Sequence, residues 1–137
     1  MGNVSVDLKG EVAAVTGGGG ILCSVMCKAL AESGVAVAVM DIAEDAAKTV
    51  AEEINSAGGK AVAVQSNVLD KEDLQRAYKE VADAVGVPTI LVNGAGGNKK
   101  EATTSDDMSF FDMPADALQW VFNLNFLGTL LPCQVFG

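Results

Sequence analysis

No histidine occurs anywhere in this sequence of 137 residues. The three cysteines, Cys23, Cys27 and Cys133, therefore have no imidazole to complete a metal site. Cys23 and Cys27 lie four apart and share a helix face, but they are read as small buried side chains, and no metal is expected. Three cysteines also make no disulfide framework, which suits a reducing cytoplasm. Basic residues are scarce: nine against 18 acidic, a formal net charge of −9, with no basic cluster larger than Lys99-Lys100. Such a surface repels a phosphate backbone, so nucleic acid is excluded as a partner. The start, MGNVSVDLKGEV, lacks the charged-then-apolar layout of a signal peptide, and its Met-Gly opening is taken as a chance match to a myristoylation pattern. Long apolar runs are missing too. The one uncharged stretch, residues 117–137, is broken by two Asn, two Gln and a Pro, so it reads as a buried or interface helix and no membrane partner is expected.

Half the residues are hydrophobic and a fifth are charged, the balance of a globular chain, and the length predicts a single domain over residues 1–137. Apolar runs alternate with amphipathic ones. EVAAVT (11–16) is followed by ILCSVMCKALAES (21–33), which places Leu22, Val25, Met26, Ala29 and Leu30 on one helical stripe and stops at Gly34. VAVAVM (35–40) is apolar on both parities, as a strand covered on both faces must be. A helix over about 44–57, a strand over 60–66 and a helix capped by Asp70 and running to Gly86 come next. Pro88 introduces the fourth strand, TILVN, and its glycines; residues 98–113 read as a surface loop, and a last helix begins near Pro114. Strict strand-helix alternation predicts an α/β fold, a doubly wound parallel sheet of the Rossmann type, truncated after about four strands.

Ligands of such sheets bind beyond the C-terminal strand edge, where both glycine clusters and Asp41 fall. TGGGG lies between a strand and a helix, so bare amide hydrogens around Gly17 to Gly20 could grip a diphosphate at the positive end of the helix. Asp41 ends the next strand, 24 residues after Gly17. Its carboxylate can accept both hydroxyls of an adenosine ribose and would repel a 2′-phosphate, which favours NAD over NADP. The bland alternative is a tight turn with Asp41 capping a helix. A Walker phosphate loop is excluded for want of its Gly-Lys-Ser/Thr ending. A methyltransferase usually ends its first strand in an acidic residue, where Thr16 stands here.

With these residues in view, the sequence resembles the short-chain dehydrogenase/reductase family over essentially its whole length. Thr16 and Gly17 match the first two positions of the family loop TGxxxGxG; its later glycines fall on Ile21 and Cys23, so Gly20 stands in for the first of them with the loop shifted by one residue. SNVLD (66–70) resembles the segment that flanks adenine, with Asn67 where an Asp is commoner and the backbone of Val68 as the usual neighbour. NGAG (93–96) resembles NNAG, with Gly94 in place of the second Asn; the resemblance implies that Asn93, Ala95 and Gly96 lie along the cofactor. Trp120 and Asn125 resemble the helix whose Asn holds the proton-relay water, which gives Asn125 a supporting catalytic role, with Asn123 a competing candidate by chemistry. The wording of TGGGGILCS, LVNGAGGN and LNFLGTLLPCQVF resembles the branch of the family described as D-mannonate oxidoreductase or fructuronate reductase. The resemblance implies hydride transfer between NAD and a small-molecule carbonyl or alcohol, with a sugar acid such as D-mannonate or D-fructuronate as the substrate the wording suggests, in a cytoplasmic homo-oligomer.

Family chemistry also needs a Tyr with a Lys four residues later, because a tyrosine near its free pKa of ~10 is a poor base at neutral pH. The single tyrosine is Tyr78, with Ala82 where that Lys would stand. The sequence thus reads as an N-terminal half, cut inside a helix and inactive alone. A non-catalytic dinucleotide-binding module and a ligand-free structural fragment are the alternatives. TILVN as an apolar sheet edge predicts a chain that is marginally stable or self-associating by itself. A thermal melt with sedimentation at micromolar concentration checks this, and a cooperative monomeric transition would contradict it.

Overall fold

The computed structural model describes residues 7–137, so the MGNVSV start and its myristoylation-like wording lie outside the described residues. Four strands, β1 (Val12–Thr16), β2 (Ala36–Asp41), β3 (Lys60–Gln65) and β4 (Ile90–Asn93), alternate with the helices α1 (Ile21–Glu32), α2 (Glu44–Ser56) and α3 (Lys71–Ala84). All pairings are parallel and the strand order is β3-β2-β1-β4. Val15 lies level with Val39 on one side and Val92 on the other, which brings Thr16, Met40 and Asn93 to the same sheet edge. The predicted Rossmann-type parallel sheet is the observed one.

Strand parity sorts the core into two halves. Ala13, Val15, Val37 and Val39 face α1 and α2, where they meet Cys27, Ala47, Val50 and Ile54. Val12, Ala14, Ala38 and Met40 point the other way, onto Leu74, Ala77 and Val81 of α3 and onto Phe136. Both faces of β1 and of the middle of β2 are buried, the physical reason for their unbroken apolar runs. Among the described residues β4 is paired on one side, with β1.

Two expectations need correction. Most of the stripe on α1 lies outside the core: Leu22, Val25 and Met26 are 76%, 63% and 47% exposed, Leu30 packs against the core at partial burial, and Cys23 and Cys27 face the sheet as the small buried side chains the sequence predicts. The thiols are small enough for α1 to lie close over β1 and β2, and that approach, more than apolar periodicity, sets which face is inward. The last helix is also not one helix. α4 (Ala115–Phe122) passes through a π-helical turn (Asn123–Leu127) into α5 (Gly128–Phe136), which carries Pro132 inside it. The loop before it, predicted as irregular, contains only two short 3-10 turns and a bridge between Ser105 and Met108.

Boundary residues behave as their chemistry dictates. Gly34 follows α1 with φ +86°, the left-handed conformation that ends helices on glycine. Asp70 caps α3 by accepting the N–H groups of Glu72 and Asp73, as the sequence predicts. Asp70→Ala removes that acceptor and should lower stability by about 1 kcal/mol. Equilibrium urea unfolding, read as a change in midpoint with unchanged slope, checks it.

Candidate functional site

The C-terminal ends of β1, β2 and β4 open into one crevice of about 440 Å³. Its floor is made by Gly17, Gly20 and Cys23 on one side and by Gly94, Ala95 and Gly96 on the other. The chain leaves β1 at Gly17 with φ +65°, and a Cβ there would lie 2.9 Å from the backbone of Gly94 and Ala95. Only glycine satisfies both conditions. Gly18 and Gly19 are close-packed against Val39 and Ala46. At Gly20, which lines the crevice, an added Cβ would meet a single atom, the Gly17 carbonyl oxygen at 3.2 Å. Three of the four glycines are thus explained by the protein's own packing, and one by the crevice.

Hydrogen-bond accounting corrects the expectation of bare amides along the glycine loop. The N–H of Gly18 donates to Met40 O (2.9 Å), that of Gly19 to Asp41 Oδ2 (3.0 Å) and that of Gly20 to Gly17 O (3.0 Å). The unpaired donors lie one step later, at Ile21, Leu22 and Cys23, where the first turn of α1 has no preceding helical carbonyls. The first turn of α1 carries no acidic residue of its own, and the nearby carboxylate is that of Asp41, bonded to the Gly19 N–H. It remains a positive pole aimed into the crevice.

Asp41 both builds the turn and faces the crevice. Oδ1 accepts the Ala43 N–H and Oδ2 that of Gly19, each at 3.0 Å. A carboxylate has about four acceptor positions, so roughly half remain for another donor. Beside it Ile42 is 65% exposed on the crevice wall. Across β3, Asn67 closes its own turn by accepting the Leu69 N–H at 3.0 Å, which leaves its second lone pair free. The Asn67 N–H donates to Asp73 Oδ2 at 2.8 Å, and Arg76 holds Asp73 and the Gln65 carbonyl together. Burial alone would raise the Asp73 carboxyl, but the Asn67 N–H and the Arg76 guanidinium outweigh it and hold it below its usual range. This clamp fixes the 66–70 segment, so Asn67 and Val68 line the crevice.

On the opposite side Thr16, wholly buried, joins the two glycine loops: its Oγ1 accepts the N–H groups of Gly94 (3.1 Å) and Ala95 (3.2 Å). The sequence reading matched Thr16 to a motif without giving it a role; a hydroxyl at the end of a buried strand was the signal. Asn93 is the expected residue that the fold turns away from the crevice. Its Nδ2 points to Cys133 Sγ on α5 (3.3 Å), and its Oδ1 is buried without a partner. Asn125 is drawn to the far end of the same loop. Its Oδ1 accepts the Gly97 N–H (3.3 Å) and its Nδ2 donates to Gly97 O (2.7 Å) and Val121 O (2.8 Å). Asn123, the rival, accepts from Gln119 on its own helix.

Tyr78 lies outside the crevice, its ring edge-on to Phe136 at 5.4 Å. Sequence reasoning missed Ile21, Leu22, Ile42, Ser66 and Leu124 as lining residues, since an apolar wall has no motif. Burial pushes the Cys23 thiol up, and the Asp41 charge adds to it; burial raises Cys27 to about 12, with Cys23 contributing. Among the described residues no group of three or more His, Cys, Asp or Glu could hold a metal ion. Among the described residues no helix is long and apolar enough to cross a membrane.

Comparison with known proteins places these features in context. The profile of the short chain dehydrogenase family matches residues 11–136. An uncharacterised oxidoreductase of Haemophilus influenzae is 41% identical over 141 residues, covering 96% of this chain and 50% of its own. The 3-oxoacyl-[acyl-carrier-protein] reductase FabG of Aquifex aeolicus is 33% identical over 132 residues, with 96% and 50% covered. A Haemophilus influenzae crystal structure with bound NAD, provisionally named a D-mannonate oxidoreductase, superposes with TM-score 0.89 at 39% identity, covering 95% of this chain and 50% of that one. The chain spans about half the length of the curated relatives it matches.

Thiol chemistry gives a direct check of the crevice floor. Cys133 is exposed, whereas Cys23 and Cys27 are buried and held protonated, so one thiol per folded chain should react rapidly with a disulfide reagent at pH 8. The other two should appear only on denaturation; three fast thiols would contradict the packing of α1.

Proposed function

Because the chain belongs to the short chain dehydrogenase family, we propose that its crevice binds NAD(H) and that the protein is an oxidoreductase. The observation that carries the reading is the pairing of a helix end that has no acidic residue of its own with a carboxylate at the next strand end. The N–H groups of Ile21, Leu22 and Cys23 meet the diphosphate, and the free acceptor positions of Asp41 take the hydroxyls of the adenosine ribose. Gly20 lines the crevice where the diphosphate would lie, Gly17 lets the Gly94 and Ala95 backbone close the floor beneath it, and Ile42 offers an apolar face to the adenine. Asn67, through its remaining lone pair, and the backbone of Val68 meet the adenine edge. Ala95 and Gly96 lie along the nicotinamide half. When bound, the nicotinamide supplies hydride transfer to a carbonyl carbon or from an alcohol carbon.

Asn125 enters this scheme as a positioning residue. Its side chain is committed to Gly97 and Val121, so it holds the 93–97 loop, and a relay water would have to sit on a main-chain carbonyl of the π-helical turn. Asn93 supports the loop from beneath, through Cys133. A sugar acid such as D-mannonate or D-fructuronate is the proposed substrate, on the likeness to the Haemophilus protein provisionally named for D-mannonate. Assembly as a cytoplasmic homo-oligomer is supported by the exposed Leu118, Phe122 and Phe126 and by the free thiols. The packing of Tyr78 against Phe136, away from the crevice, favours a second reading in which this chain binds the dinucleotide without catalysing transfer.

Energy transfer from Trp120, the single tryptophan, to NADH measures binding directly. Asp41→Ala should weaken NADH binding by about 1–3 kcal/mol, the worth of hydrogen bonds to a charged acceptor. NADPH should lose less, since a repelling charge is removed with them. Unchanged NADH affinity would remove the ribose assignment. No saturable signal up to millimolar NADH would leave the crevice without its proposed ligand.

A further inference from the structure

Matched without a shift, Cys23 falls on the last glycine of the family-like loop TGxxxGxG, and Gly94 on the second asparagine of NNAG. The two departures meet in space. A Cβ built on Gly94 would lie 2.2 Å from Cys23 Sγ and 2.8 Å from the Thr16 carbonyl oxygen, both inside contact distance, whereas Cys23 Cβ would stand 3.6 Å away at ordinary separation. The sulfur therefore occupies the volume that any side chain on residue 94 would need first. With glycine at position 23 that volume would instead be a void against the loop, and its lining would lose those contacts.

The position of this contact gives it consequence. Cys23 belongs to the first turn of α1, which carries the unpaired N–H groups, and Gly94 opens the loop that forms the opposite side of the crevice floor. Thr16 Oγ1 holds that loop through the Gly94 and Ala95 N–H groups, and Gly17 packs against the same backbone. The Cys23 thiol is a side-chain contact from α1 to this assembly. Resting on the NAD reading above, we propose that Cys23 and Gly94 are one exchanged pair that positions the cofactor. The thiol is the spacer that sets how far the first turn of α1 stands from the Gly94–Gly96 loop, and so sets the width of the crevice at the diphosphate. Its neutral state, favoured by burial and by the Asp41 charge, keeps a second anion away from that position.

The test is a double-variant cycle on the full chain: wild type, G94A, C23A and C23A/G94A. NADH affinity is read by energy transfer from Trp120, and urea unfolding without cofactor is measured on the same four proteins. With Cys23 present, G94A should weaken NADH binding about tenfold or more. In the C23A background the sulfur clash is gone while the Thr16 carbonyl oxygen still lies 2.8 Å from the new Cβ, so the same change should still weaken binding but by about threefold less than in the presence of Cys23. Equal losses in both backgrounds overturn the proposal, as does coupling that shows in urea stability and not in NADH affinity. If G94A fails to fold, C23A decides: affinity about threefold or more below wild type, restored by C23S, supports the spacer role, and unchanged affinity overturns it. If the unmodified chain does not bind NADH, the reading above falls together with this proposal. If it binds and only the cycle is flat, this proposal alone falls.

Discussion

The crevice depends on one buried hydroxyl. Thr16 ends the central strand β1, and its Oγ1 accepts two successive N–H groups of the loop that ends β4. Without it two part-buried backbone donors at the crevice floor would lose their partner. With it the loop is drawn down until the Gly94 and Ala95 backbone reaches Gly17, which has no side chain to hold them off. The close approach of two turns, and not the glycines as such, gives the sheet edge a continuous floor. The Cys23 sulfur then fills the remaining gap beside Gly94.

From this floor the division of labour among the loop residues follows. A glycine-rich turn is easily read as a row of free donors, yet Gly18, Gly19 and Gly20 each give their N–H to the protein itself. That internal bonding makes the turn rigid and hands the role of anion recognition to the first turn of α1. Asp41 links the two functions, since its carboxylate ties Gly19 and Ala43 together and still presents lone pairs outward. A group that is bonded from behind is held in one orientation before any ligand arrives, which lowers the ordering cost of binding. The Asp73–Arg76 clamp does the same for Asn67 and Val68 on the neighbouring loop.

The helix over the crevice shows where pattern and packing part company. Leu22, Val25 and Met26 satisfy a helical apolar period, yet they face outward, and two cysteines face in. The sheet at this point presents Ala13, Val15, Val37 and Val39, already a filled surface, and the helix is pinned to it by the close contacts of Gly18 and Gly19. A large inward side chain would lift α1 and with it the positive pole. Small sulfur-bearing residues meet that limit; leucines would not.

The sequence by itself determined the alternation of strands and helices, the parallel order, the Asp70 cap and the gathering of both glycine clusters with Asp41 at one edge, because these rest on period, turn chemistry and chain order. Tertiary structure decided the rest. It turned Asn93 toward Cys133, moved the free donors from Gly17–Gly20 to Ile21–Cys23, and placed Tyr78 on Phe136. It also showed Cys23 and Gly94, 71 positions apart in the chain, to be one contact. The physical reason is common to all four: the partner of a hydrogen bond or of a void is a neighbour in space, and local propensity has no knowledge of it.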